Sequence, residues 1–148
     1  EERLHKLPEK QRELIASGLE KKLFTIRGKE IHYIAQNKTY DFTHPEEPVR
    51  ASVYVELVTK YKYSPKRIDF EVLPPRREPK LPADIVVYKD DEKEKPFIVV
   101  ECKAASSKND VEVAKKEGLG NANLLLAEWL FLVVEKKKQY TMLKRDLP

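Results

Sequence analysis

The residues best suited to chemistry are two carboxylates and an amine, Asp84, Glu101 and Lys103, within the stretch Pro82 to Lys103. Two apolar, β-rich runs there flank Asp90-Asp91-Glu92-Lys93-Glu94-Lys95, which reads as the solvated tip of a hairpin. If the strands pair antiparallel about an ungapped tip, the numbers of opposed residues sum to a constant. Tyr88 opposite Phe97 gives 185, and so does Asp84 opposite Glu101. Strand side chains alternate between faces, so this register puts Asp84, Glu101 and Lys103 on one face. Cys102 then turns to the opposite, apolar side, where a free Cys behaves as a small buried hydrophobe rather than a nucleophile. Two carboxylates at one end of a hydrophobic hairpin point to a divalent metal. Hard cations take oxygen ligands, and Asp84, Glu101 and the backbone carbonyl of Cys102 offer a Mg²⁺ site completed by water and a phosphate oxygen. Lys103 can supply charge relief on a pentacoordinate phosphorane or help the attacking water lose its proton. By itself Asp-x16-Glu-x-Lys is a weak pattern in a chain so rich in Lys and Glu; the hairpin context strengthens it.

The elements that must position these groups follow from periodicity. Pro8 to Lys22, with Leu14, Ile15, Leu19 and Leu23 at helical spacing, reads as an amphipathic helix. Leu23 to Ile26, Ile31 to Ala35 and Thr39 to Phe42 read as a small antiparallel meander turned at Arg27-Gly28-Lys29 and Asn37-Lys38. His5 and His32 have no second His at ligand spacing and are expected to be packing or surface residues. Thr43-His44-Pro45-Glu46 has the form of a capping box, and Val49, Val53, Leu57 and Tyr61 predict a helix laying one stripe on a sheet. Glu56 sits at the edge of that stripe, equally compatible with pointing toward a metal or into solvent. Ile68, Phe70 and Val72 alternate with acids as a strand, and Pro74 to Lys80 cannot pair inside a sheet. After the hairpin, Asn109 or Asp110 is placed to cap a helix, and Gly118 and Gly120 are expected to interrupt it. The apolar run Glu128 to Val134 fits a buried strand parallel to the Glu101 strand across that crossover, and Lys136 to Lys138 a turn into a last strand, Gln139 to Leu143.

Composition bounds the classes. At 148 residues, 41% hydrophobic and 36% charged, the chain fits one soluble globular unit with a heavily charged surface. The organisation expected is an extension over residues 1–42, helix and meander, ahead of a core over residues 43–148. The chain opens on Glu1 rather than Met and is read as a piece of a larger protein. No apolar run is long enough for a membrane span, and no signal peptide opens the chain. A single cysteine excludes an intramolecular disulfide framework and fits a cytoplasmic setting. The net charge of +4 is concentrated: residues 60–80 hold seven Lys or Arg against three acids, and residues 135–148 hold five against two. Such stretches are either a solvated lysine-rich face or an attractor of polyanions. No Gly-x4-Gly-Lys-[Ser/Thr] loop occurs, so ATP hydrolysis is expected elsewhere.

Pro82-Ala83-Asp84 followed by Glu101-Cys102-Lys103, with Glu56 in a preceding helix and a helical crossover after, resembles the PD-(D/E)xK nuclease superfamily. A longer pattern narrows the likeness: Tyr33-x-x-Gln36-x-Lys38, Pro45-Glu46-Glu47-Pro48-Val49-Arg50, the Leu57 helix, Arg67 to Val72, Ala83 to Tyr88 and Ile98 to Lys103. Together these resemble the N-terminal nuclease domain of type I restriction enzyme R subunits, over roughly residues 20–143. Gly120-Asn121-Ala122-Asn123 resembles the version fused to adenine-specific DNA methylases. The resemblance implies an α/β, restriction-endonuclease-like mixed central sheet flanked by helices. It implies Mg²⁺, with Mn²⁺ as substitute, bound by Asp84 and Glu101, with Lys103 catalytic and Glu56 an auxiliary acid. It also implies double-stranded DNA and the translocase, methylase and specificity parts of a restriction–modification system as partners, with no membrane. One departure stands out: many relatives carry Gln-x-x-x-Tyr on the crossover helix, where this chain has Glu117 and Asn121.

The leading expectation is therefore a Mg²⁺-dependent DNA endonuclease domain that leaves target choice to other domains. A second is a catalytically weakened nuclease fold acting as a DNA-binding or docking module, which Glu117 favours. A third is a structural α/β domain whose acids merely form a salt bridge with Lys103.

Overall fold

Residues 2–104, 107–134 and 139–144 are described by a computed structural model of the protein. They divide into two units, residues 1–65 and residues 66–148. Among the described residues no helix is long and apolar enough to cross a membrane.

The first unit begins with a short helix α1 (Glu2–His5) and helix α2 (Glu9–Glu20), with Pro8 just ahead of α2. Three strands follow, β1 (Phe24–Arg27), β2 (Glu30–Tyr33) and β3 (Lys38–Asp41), in the expected antiparallel order β1-β2-β3. The turns fall where the sequence marks them, because Gly28 (φ +59°) and Asn37 (φ +54°) tolerate left-handed backbone. His32 hydrogen-bonds the Thr39 hydroxyl across the sheet at 2.8 Å, the surface role expected of it.

Helix α3 (Glu47–Thr59) completes the unit and packs on α2. Two local expectations fail here. Thr43 caps nothing: its N–H and hydroxyl both donate to the Asp41 carboxylate, at 2.8 and 2.6 Å, and the helix starts from Glu46 without a side-chain cap. Nor does α3 show a single stripe, since every residue from Glu47 to Leu57 is buried and Tyr61 lies beyond the helix, 49% exposed. Its polar groups are reconciled with burial by pairing. Arg50 forms a two-pronged ion pair with Glu47 (2.7 and 3.1 Å), and Glu47 also accepts the Tyr33 hydroxyl at 2.7 Å. Periodicity cannot reveal such a network, because it scores Glu and Arg as solvent-facing.

The crossing of α2 over α3 depends on Gly18. A methyl group there would run into the Phe24 ring and stand 2.8 Å from Val55 Cγ2. Gly18→Ala should lower stability by about 1–3 kcal/mol in urea denaturation, although alanine gains about 1 kcal/mol in helix propensity. A stabilised variant would contradict this close approach.

The second unit is a five-stranded sheet in the order β4-β5-β6-β7-β8. Its strands are β4 (Ile68–Val72), β5 (Ala83–Tyr88), β6 (Pro96–Lys103), β7 (Trp129–Val134) and β8 (Gln139–Lys144). All neighbours are antiparallel except β6 and β7, which run parallel. That parallel pair requires a crossover, supplied by helix α4 (Lys108–Leu125), which packs on β6 and β7. This is the mixed-sheet α/β class expected; the lysine turn before β8 lies outside the described residues.

Helix α4 is capped two residues before Asn109 and three before Asp110, by Ser107, which accepts the Asp110 N–H at 3.0 Å. It also runs unbroken through Gly118 and Gly120, which serve packing rather than interruption. Its Ala122 joins Val86, Val99, Leu130 and Ala127 in one apolar cluster. Toward the other end of the helix, Ala114 packs with Leu132 and Val134.

Candidate active site

The β5–β6 hairpin sets the geometry. Ile85 faces Val100, Val86 faces Val99 and Val87 faces Ile98, each pair summing to 185 as expected. Nearer the tip the register shifts: Tyr88 pairs with Pro96 rather than Phe97, through an irregularity between Val87 and Tyr88. Pro96 has no N–H for the ladder, and the hairpin closes instead through Lys89 N–H to the Lys95 carbonyl at 2.8 Å. The tip is ordered by Asp90, whose carboxylate accepts the backbone N–H groups of Glu94 and Lys95. Since the slip lies on the tip side, the 185 register still governs the opposite end, and Asp84 and Glu101 meet there.

Asp84 is fastened across the hairpin by the Cys102 N–H, which donates to Oδ2 at 2.7 Å. Its face is the one carrying Val86 and Val99, and therefore the one α4 covers. Glu101 lies under that helix, 8% exposed. Gly118 permits the approach: a methyl group there would stand 2.7 Å from Leu130 Cδ1 and 3.0 Å from Glu101 Cγ. One turn away, Asn121, itself 1% exposed, donates its amide to Glu101 Oε1 at 3.1 Å. Lys103 ends β6 half-buried, and Cys102 is buried on the other face.

Burial pushes the Glu101 carboxyl well above the usual Glu range. The Asp84 carboxyl raises it further, by repulsion and by hydrogen bonding, and the Glu117 charge adds to this. The Asn121 amide works against them by stabilising the carboxylate. Two adjacent carboxyls, one buried, form a donor set that suits a small hard cation, whose charge would relieve their repulsion. Among the described residues no three His, Cys, Asp or Glu side chains cluster as ligands. A cation here would therefore rely on backbone and non-protein oxygens for the rest of its shell, as Mg²⁺ commonly does.

Glu56 belongs to the first unit, on α3, where it is buried at 9% exposure rather than solvent-facing. Two contributors were illegible as such in the sequence. Gly118 looks like a helix breaker and Asn121 like a substitution in a motif. For Gly118 and Gly120 the only available signal was two glycines four or fewer residues from a helical run that continues on both sides.

Comparison with curated proteins and with solved structures gave no match. The family model for the type I restriction enzyme R protein N terminus (HSDR_N) matches residues 45–147, which include every strand of the mixed sheet, helix α4 and the Asp84–Glu101 pair. The chain belongs to the type I restriction enzyme R protein N-terminal family.

Proposed function

We propose that this restriction–modification domain is a Mg²⁺-dependent DNA endonuclease of PD-(D/E)xK type, with Mn²⁺ able to substitute. The observation that carries the proposal is the buried Glu101 carboxyl beside the Asp84 carboxyl at the open end of the β5–β6 hairpin. Asp84, Glu101 and the Cys102 carbonyl would hold the metal. When bound, it supplies Lewis-acid stabilisation of the phosphoryl charge and a more acidic water. The protein's own groups do the positioning. The Cys102 N–H fixes the Asp84 carboxylate, and the Asn121 amide fixes Glu101 and favours its ionised form. Lys103, two residues beyond Glu101 on the same strand face, offers its ammonium to the charge that builds on phosphate. Glu56 is assigned the auxiliary acid role. The partners are double-stranded DNA and the translocase, methylase or specificity parts of the system, in the cytoplasm.

Titrating the intact protein with Mg²⁺ and Mn²⁺ in a calorimeter, alongside nicking of supercoiled plasmid, tests this. One saturable metal site and cleavage that stops on chelation are expected; cleavage that persists in EDTA would refute metal dependence. Glu117 favours a second reading, a docking domain, since its charge further opposes ionisation of Glu101. DNA binding without metal uptake at Asp84 and Glu101 would select it.

A further inference from the structure

Arg77 lies in the segment between β4 and β5, the segment that leads into Asp84, and its guanidinium rests against helix α4. Nη2 reaches the Glu117 carbonyl only at 3.5 Å, and Nε is buried with no hydrogen-bond partner among the described residues. The seat is made by Gly120: a methyl group there would stand 3.0 Å from Cζ and Nη2 and would run into Nη1. The same helical turn touches Glu101 from its other side, through Gly118 and Asn121. Asn121 Oδ1 is likewise buried without a partner among the described residues. A guanidinium donor left open against that turn is what a bound acceptor such as a phosphate oxygen would satisfy.

We propose that Arg77 is a strand-positioning residue whose guanidinium takes a non-bridging phosphate oxygen of the DNA backbone beside the Asp84–Glu101 pair. The proposal rests on the nuclease reading above. A planar fork of N–H donors matches a phosphate in a way an ammonium does not, and glycine at position 120 is what lets that fork lie flat on the helix. A purely structural arginine would be expected to close its hydrogen bonds on the helix; this one leaves Nε open and makes one long contact.

The test is steady-state nicking of supercoiled plasmid by the intact protein in Mg²⁺, with Mn²⁺ affinity measured on the same samples. Arg77→Ala should lower kcat about 100-fold while Mn²⁺ affinity stays within about twofold. Arg77→Lys should recover only about tenfold of that loss, because charge returns without the fork. Gly120→Ala keeps the guanidinium and removes its seat, and should lower kcat as Arg77→Ala does. Unchanged kcat in Arg77→Ala, or a loss matched by lost Mn²⁺ binding, overturns the proposal. If the wild-type protein does not cut at all, the nuclease reading fails instead. The phosphate contact is then judged by affinity for a short duplex, which Arg77→Ala must weaken about tenfold; equal affinity overturns it.

Discussion

Glu101→Ala and Lys103→Ala should each abolish Mg²⁺-dependent nicking, with rates at least about 10³-fold below wild type, equivalent to roughly 4 kcal/mol of transition-state stabilisation. The two losses have different origins and different signatures. Glu101→Ala removes half of the carboxylate pair and should abolish metal uptake in calorimetry. Lys103→Ala leaves Asp84, Glu101 and the Cys102 carbonyl in place, so it should bind Mn²⁺ normally and still fail to cut. Cleavage retained by both variants would remove Asp84, Glu101 and Lys103 from the chemistry. Thermal melts of each variant guard against a trivial explanation, because Glu101 packs against Gly118 and its truncation leaves a void under α4.

Glu101→Gln should make the metal-free protein more stable at neutral pH, by about 1 kcal/mol or more, seen as a rise in Tm of roughly 2–4 °C. The sign follows from linkage. The folded chain holds the Glu101 proton more tightly than the unfolded chain does, because burial and Asp84 both oppose ionisation. Between the ordinary Glu pKa and the raised folded value, unfolding releases a proton, so stability falls as pH rises through that window. Below the window the carboxyl is protonated in both states and the contribution is fully present; above it the loss is complete. Glutamine keeps the shape and cannot ionise, so the variant should lack this slope. Mg²⁺ should reverse the order, since a ligand at a hundredfold excess over Kd adds about 2.7 kcal/mol to wild type and nothing to the variant. Melts from acid to alkaline pH, in EDTA and in Mg²⁺, give the comparison. A variant less stable than wild type by the same amount at every pH would contradict a charged Glu101 under strain.

The parts of the fold legible in the sequence were those governed by alternation and turns. The meander, the hairpin and the parallel β6–β7 pair rest on period-two patterning and on Gly28, Asn37 and the charged tip, and all form in the order read, the hairpin keeping its expected register except at the tip, where Tyr88 pairs with Pro96. What escaped were positions where tertiary contact overrides local preference. Gly118 and Gly120 weaken a helix in isolation, yet here they admit Glu101, Leu130 and Arg77. Ser107 displaced Asn109 and Asp110 as the cap, and Thr43 spent its hydroxyl on Asp41. The Asp84–Glu101 meeting was legible because it needed only parity of register. The covering of Glu101 by Asn121, twenty residues later in the chain, was not, because it depends on how helix α4 settles on the sheet.

The irregularity between Val87 and Tyr88 gives the hairpin a form of insulation. In a two-stranded ribbon a slip of one residue transfers every side chain to the wrong side. Here the mismatch is confined to the tip, and beyond it the pairing from Val87–Ile98 onward keeps its own count. The tip thus absorbs the mismatch between the solvent loop and a carboxylate pair whose parity has to be kept.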